Sequence, residues 1–282
     1  MASQMSTANR FGQLRQTARR SLHKFRYGVS LRARYYLLPR RDKQPLFILA
    51  RQRTGGNLLA DYLNSIPDIS LEHEFLNPVF HYGIRPRPDG RDAVIRHVRY
   101  SLNALPERLS GCKILIGQFA LHGITFEEFH DAFPEAKFVL LYRRDTAKQF
   151  VSLKVAHKTK QYLATAKEKL NLTTVHLDAD ELVGFYQRNR DEYLSVMKHP
   201  RFGECARVVT YEEIASAPQK VFDETIFPFL GLPQASIVTK LVKQARKPIS
   251  ETVENYDEMK DPLEQYGTLD LSEAAARTEQ PA

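Results

Sequence analysis

The chain of 282 residues contains no tryptophan and only two cysteines. Two cysteines exclude a disulfide scaffold and, by themselves, a tetrahedral thiolate metal site. No run of about 18 apolar residues occurs, which excludes an α-helix crossing a bilayer. The nine histidines show neither HExxH nor HxH spacing, so no metal site is legible in them. His97, His130, His157 and His199 read as residues of helix surfaces. Cys112 and Cys205 border predicted strands and read as free buried thiols. At 43% hydrophobic and 26% charged residues, the composition is that of a globular protein with one well-filled core.

Acid is scarce at one end only. Residues 1–44 hold eleven Lys and Arg against the single acid Asp42, a charge of +10; the remaining 30 basic and 32 acidic residues give −2. The excess positive charge therefore belongs to an N-terminal arm. This argues against a nucleic-acid-binding core and leaves contact with polyanions to the arm. In the arm, Phe11, Leu14, Ala18, Leu22 and Phe25 recur at helical spacing, with Arg15, Arg19, Arg20 and Lys24 around them. Three readings stay open: a helix docked on the core, a basic amphipathic helix on an anionic membrane surface, and an organellar transit peptide.

Beyond the arm the pattern changes. Residues 46–50 (LFILA) form a continuous apolar run, followed by shorter ones at 114–116, 138–142 and 207–209. Such runs read as strands buried on both faces of a parallel sheet. Helical stripes lie between them, at Leu58, Leu59, Tyr62 and Leu63, at Ala147, Phe150, Val151 and Val155, and at Leu182, Phe185, Tyr186, Tyr193 and Met197. The alternation predicts one α/β domain over residues 45–271, with a mainly parallel central sheet flanked by helices. Residues 272–282 carry no aliphatic anchor beyond alanine and read as a frayed tail.

Directly after the first strand comes Arg51-Gln52-Arg53-Thr54-Gly55-Gly56-Asn57-Leu58. A tight turn with two glycines that opens a helix aims unsatisfied N–H groups and the positive helix end at an anion. Arg53 adds a full charge, and Thr54 and Asn57 add side-chain donors. The leading glycine and the lysine of a nucleoside-triphosphatase loop are missing, which makes kinase chemistry the lesser alternative. A second strand ends in Arg143-Arg144, with Asp145 or Thr146 capping the next helix and Ser152 two turns into it. Arg144 and Ser152 lie where α/β proteins bind ligands and suit a phosphate.

Taken together these segments resemble sulfotransferases that use 3′-phosphoadenosine 5′-phosphosulfate (PAPS). The family's phosphosulfate loop appears as Arg53-Thr54-Gly55-Gly56-Asn57, and its R-x7-S motif as Arg144 to Ser152. A later Thr210-Tyr211-Glu212-Glu213-Ile214 and an FLGLP segment at 229–233 follow in the family's order. The nearer likeness is to bacterial carbohydrate sulfotransferases of the nodulation-factor type. They share a Glu-Phe-x-x-Pro stretch (Glu74-Phe75-Leu76-Asn77-Pro78) and a late Ser-x-x-x-x-Asn-Tyr stretch (250–256). The resemblance implies a P-loop-like fold and binding of PAPS and its product adenosine 3′,5′-bisphosphate (PAP) without a metal. Arg53, Thr54, Gly55, Gly56, Asn57, Leu58, Arg144, Ser152, Tyr211 (beside adenine) and Lys247 are the implied binding residues.

Sulfuryl transfer needs a cation on the bridging oxygens and a base for the acceptor hydroxyl. Arg53 is the first candidate cation and Lys113 the second. Glu74 is the candidate base, after a short strand at 69–71, with Glu72, His73 and His122 as rivals. The position where the family has a histidine, five after Lys113, is Gln118. Residues 76–92 and 158–178 read as acceptor loops, the acceptor being a hydroxyl of a carbohydrate or glycolipid by resemblance. The expected setting is the cytoplasm, at a membrane surface only under the reading in which the arm lies on anionic lipid. A binding module without catalysis is the remaining alternative.

Overall fold

The computed structural model describes residues 33–34, 42–78, 90–162, 173–241 and 247–279. Strand β1 (Gln44–Ala50) is followed by helix α1 (Gly56–Leu63), β2 (Ile69–Glu72), α2 (Gly90–Asn103), β3 (Leu109–Leu115), α3 (Phe126–Ala132) and β4 (Lys137–Tyr142). Then come α4 (Thr146–Thr159), α5 (Ala179–Met197), β5 (Ala206–Thr210), α6 (Tyr211–Ser216) and, at the end, α7 (Ser272–Glu279). The five strands form one parallel sheet in the order β2-β3-β1-β4-β5. This is the expected α/β domain with a parallel sheet between helices.

The central position of β1 follows from its sequence. Residues 46–50 are all apolar and all fully buried, because both faces of the strand are covered. Successive side chains point to opposite faces. Phe47 and Leu49 join Ile114, Phe138 and Leu140 in a layer closed by Val94 and Val98 of α2, Phe129 of α3 and Val196 of α5. Leu46 and Ile48 join Val139, Leu141 and Val209 in the opposite layer, closed by Leu59 and Leu63 of α1 and by Ile214, Phe222 and Phe227. A third cluster, with Phe150 and Leu153 of α4, Leu182 and Phe185 of α5, and Met259 and Leu263, builds up beyond the carboxyl ends of the strands.

The order of the strands positions the site. From β1 the chain runs outward to β2 and returns through β3, whereas β4 and β5 lie on the other side of β1. The crevice at the carboxyl end of β1, between β3 and β4, is the switch point at which such sheets bind ligands.

Three expectations are changed. Residues 272–279 form a helix and not a frayed tail, because Ala274 and Ala275 are small enough to pack against the first core layer beside buried Leu269 and Leu271. His130 is buried, not on a helix surface; it packs against His199, whose ring is tilted by 50° with its centroid 4.4 Å away and which sits in a turn. The strand β1 starts at Gln44, and Lys43 donates to the carbonyls of Leu105 and Glu107, so the domain begins slightly before residue 45. The arm's helical stripe, and residues 79–89 and 163–172 of the two expected acceptor loops, lie outside the described residues. Cys112 and Cys205 are free and buried, and burial pushes both thiols up.

Candidate functional site

The turn from β1 into α1 is held from below by residues far away in sequence. Arg51 donates its backbone N–H to the Tyr193 hydroxyl at 3.1 Å and its Nε to Asn189 Oδ1 at 2.7 Å, and it pairs with Glu192. Tyr193 in turn donates to the carbonyl of Leu141 at the end of β4. Gln149 of α4 donates to the carbonyl of Gln52, and Asn189 donates to Gln149. Thr54 is fully buried, with its hydroxyl spent on the carbonyl of Arg51 at 2.8 Å, so it braces the turn from inside. This buttress on α5 was missed in the sequence. Its one signal there is Asn189, a polar residue on the apolar stripe that runs through Leu182, Phe185 and Tyr193.

These contacts hold a strained backbone. Arg53 has φ 63°, unusual for a residue with a Cβ. Gly55 has φ 86°, and a Cβ there would stand 2.5 Å from Tyr211 Cδ2. At Gly56 a Cβ would stand 2.7 Å from Lys113 Cδ. The two glycines thus let the Tyr211 ring and the Lys113 stem lie against the turn. The first N–H groups of α1 have no intrahelical acceptor and no side-chain cap, and they form an anion cradle. Leu58 lies in the first turn of α1.

Lys113 joins the cradle to the candidate base. It stands opposite Ile48 in the pairing of β3 with β1. Its ammonium donates to Asn57 Oδ1 at 2.7 Å and pairs with Glu74 Oε1 at 2.9 Å. With its oxygen engaged by Lys113, Asn57 has only its amide N–H groups left to give to a ligand. The other oxygen of Glu74 accepts from Asn77 Nδ2 at 2.6 Å and from Gln118 Nε2 at 2.9 Å. Glu74 and Lys113 are both buried. Gln118 also accepts from the Leu115 N–H, so it acts as an orienting amide for the carboxylate.

Among the rivals for the base, His122 is buried and its Nε2 lies 2.6 Å from the carbonyl of Leu76. That contact makes Nε2 a donor. His73 is exposed, and half-buried Glu72 lies 3.7 Å from Arg34.

On the other wall, Arg53 Nε donates to Ser152 Oγ at 3.0 Å and Nη1 donates to the Tyr162 carbonyl at 2.6 Å. Burial lowers the Arg53 pKa, and nearby Arg143 lowers it further. Arg144 points away, half-exposed, toward Thr210 Oγ1 at 3.4 Å and Glu213 at 3.9 Å. The structure thus brings Ser152 to Arg53, and no contact joins Ser152 to Arg144 among the described residues. Asp145 caps α4 by accepting from the Lys148 N–H. Lys247 is exposed and makes no contact with the turn among the described residues.

No family model matches the chain. It is 24% identical over 236 residues to Nodulation protein H of Rhizobium meliloti (strain 1021), covering 77% of this chain and 90% of that protein. A second nodulation protein H from Rhizobium meliloti is 23% identical over the same extent. The chain is therefore a distant homologue of these proteins across most of their length. Similar solved structures include a sulfotransferase from Alicyclobacillus acidocaldarius, at 18% identity and TM-score 0.48, covering 86% of this chain and 95% of that chain. The mouse sulfotransferase SULT7A1 complexed with PAP is similar at 17% identity and TM-score 0.44, covering 73% of this chain and 65% of that chain.

Proposed function

We propose that this chain is a PAPS-dependent sulfotransferase acting on a hydroxyl acceptor. The observation that carries the reading is Lys113, one ammonium that touches both Asn57 of the anion cradle and the carboxylate of Glu74. A donor nucleotide and an acceptor hydroxyl would meet there. The distant homology to the nodulation proteins and the ordered motifs support it.

The cradle suits the nucleotide's phosphosulfate, because the first N–H groups of α1 carry no side-chain cap and the positive end of the helix favours an anion. The nucleotide supplies an activated sulfuryl group whose S–O bond to the phosphate breaks as the acceptor oxygen bonds to sulfur. The chain's residues do the rest. The α1 amides and Arg53 hold the anion. Lys113 has two of its three protons engaged and offers the third to the bridging oxygen. Glu74, kept in place by Gln118 and Asn77, takes the acceptor's proton. Arg144 and Ser152 are assigned to the 3′-phosphate, Tyr211 to the adenine side and Lys247 to the nucleotide without a subsite.

The acceptor class that the resemblance favours is a carbohydrate or glycolipid hydroxyl. The basic arm would bring the enzyme to anionic membrane; a chain of residues 42–282 should then lose binding to anionic vesicles and keep turnover on a soluble acceptor. Among the described residues no helix is long and apolar enough to cross a membrane. Calorimetric titration with PAP and with ATP–magnesium, followed by assay of sulfate transfer from PAPS to a panel of oligosaccharides, tests the proposal. Binding of ATP–magnesium in preference to PAP would overturn it in favour of kinase chemistry.

A further inference from the structure

Arg143 carries a charge that the fold leaves unanswered. It is 6% exposed, and arginine stays protonated in proteins. Its guanidinium lies over the ring of Tyr211, with Cζ 4.6 Å from the centroid. It has one long hydrogen bond, from Nη1 to the Arg53 carbonyl at 3.4 Å, and its Nε is buried without a partner. The nearby acids are occupied elsewhere. Asp145 accepts from the N–H and Nζ of Lys148, and Glu212 accepts from the N–H groups of Arg144 and Asp145. Among the described residues Arg143 has no ion-pair partner.

A buried charge without a partner costs several kcal/mol. Here a second guanidinium, that of half-buried Arg53, lies close enough to raise that cost. Two like charges, one buried and one half-buried, beside a cradle of uncapped amides call for an anion carrying more than one negative charge. The position of Arg143 says which end of the nucleotide that is. It hydrogen-bonds inside the turn, at Arg53, and its stacking partner is the ring that abuts Gly55.

We propose that Arg143 is a binding residue for the phosphate group held in the Gly55–Gly56 cradle, the 5′ end of the nucleotide, with Tyr211 stacked beneath it to hold the guanidinium in place. This rests on the sulfotransferase reading for the identity of the nucleotide. It also gives Tyr211 a task besides any contact with adenine, and it separates the two adjacent arginines: Arg143 reads the 5′ group and Arg144 the 3′-phosphate.

The test is calorimetric titration of the full chain and its Arg143→Gln, Arg143→Met and Arg144→Ala variants with PAP and with adenosine 5′-phosphate, beside the melting temperature of each ligand-free protein. Loss of a charge-assisted contact should weaken both nucleotides about 10- to 100-fold in Arg143→Gln, and PAP alone in Arg144→Ala. Ligand-free Arg143→Met should melt no lower than wild type, since the substitution removes an uncompensated charge. A structural arginine would show the reverse. Arg143→Gln binding both nucleotides within about threefold of wild type overturns the proposal. So does a loss confined to PAP, or a lowered melting temperature in both Arg143 variants. A wild-type chain that binds neither nucleotide defeats the sulfotransferase reading instead. Inorganic pyrophosphate then serves as the probe, and retention of its binding in Arg143→Gln overturns the assignment of Arg143 on its own.

Discussion

The pair Glu74–Lys113 offers the sharpest test of the site, because its energetics and its chemistry pull apart. Glu74→Gln preserves shape, yet the structure shows that it cannot preserve the hydrogen bonds. Glu74 accepts from Lys113 at one oxygen and from Asn77 and Gln118 at the other. A glutamine amide must turn its NH2 either to the ammonium or to the two side-chain amides, so donors face donors in both orientations. The loss lies between about 1 kcal/mol for one unmade hydrogen bond and about 5 kcal/mol for a broken buried ion pair. We expect about 3 kcal/mol, read as a fall in the urea midpoint with unchanged slope. Lys113→Met should cost a similar amount, because it leaves the carboxylate buried without its cation. The double variant Glu74→Met/Lys113→Met removes both charges and should recover much of the loss, so the cycle should show a coupling above about 1 kcal/mol. Single losses below about 1 kcal/mol, or strict additivity, would refute the reasoning. Turnover of Glu74→Gln must then be measured well below its melting temperature and per folded molecule. A remaining loss of about 10²–10⁴ belongs to proton transfer. Near-normal turnover would move the base to another residue.

Other perturbations address other parts of the site. Gly55→Ala combines positive φ with a Cβ 2.5 Å from Tyr211; it should cost about 1–3 kcal/mol in stability and abolish PAP binding, and the added substitution Tyr211→Ala should relieve only the clash. Arg144→Ala should weaken PAP by about 1.5–3 kcal/mol and leave adenosine 5′-phosphate unaffected by titration; equal losses would show that Arg144 does not read the 3′-phosphate. For His130, burial first and then His199 and Arg201 lower the pKa, against weaker opposing pulls from Asp131 and Glu204. The unfolded chain then binds the proton more readily, so its contribution is intact above about pH 6.5 and is lost as pH falls through the lower folded value. Urea midpoints between pH 7.5 and 5 should drop for wild type and stay flatter for His130→Phe; parallel curves would remove His130 as the cause.

The sheet and the cradle were legible in the sequence because both are local signals. An unbroken apolar run as short as 46–50, bounded by Pro45 and Arg51, suits a strand covered on both faces better than a helix. The two glycines after it sit between that strand and an amphipathic stripe. The motif order from Arg53 through Ser152 to Tyr211 could likewise be read along the chain, and so could Glu74, which follows a recognisable short strand. The sequence misled where a residue's surroundings come from other elements. Ser272–Glu279 looks unanchored until Leu269 and Leu271 and the first core layer provide a surface on which alanines pack. His130 looks like one more helical histidine until His199 and Phe138 close over it.

The division runs through the two adjacent arginines. The sequence alone determined that a strand ends in Arg143-Arg144 beside a phosphate-sized turn, since the alternation of strand and helix brings them to the same sheet edge. Which of the two is buried was decided only in three dimensions. The chain leaves β4 with Arg143 turned inward, onto Tyr211 and beneath Arg53, while Arg144 turns out toward Thr210 and Glu213. The same holds for the base of the cradle, where Arg51 meets Asn189, Glu192 and Tyr193 across more than a hundred residues. Burial and pairing belong to the whole set of neighbours, and no window of sequence contains them.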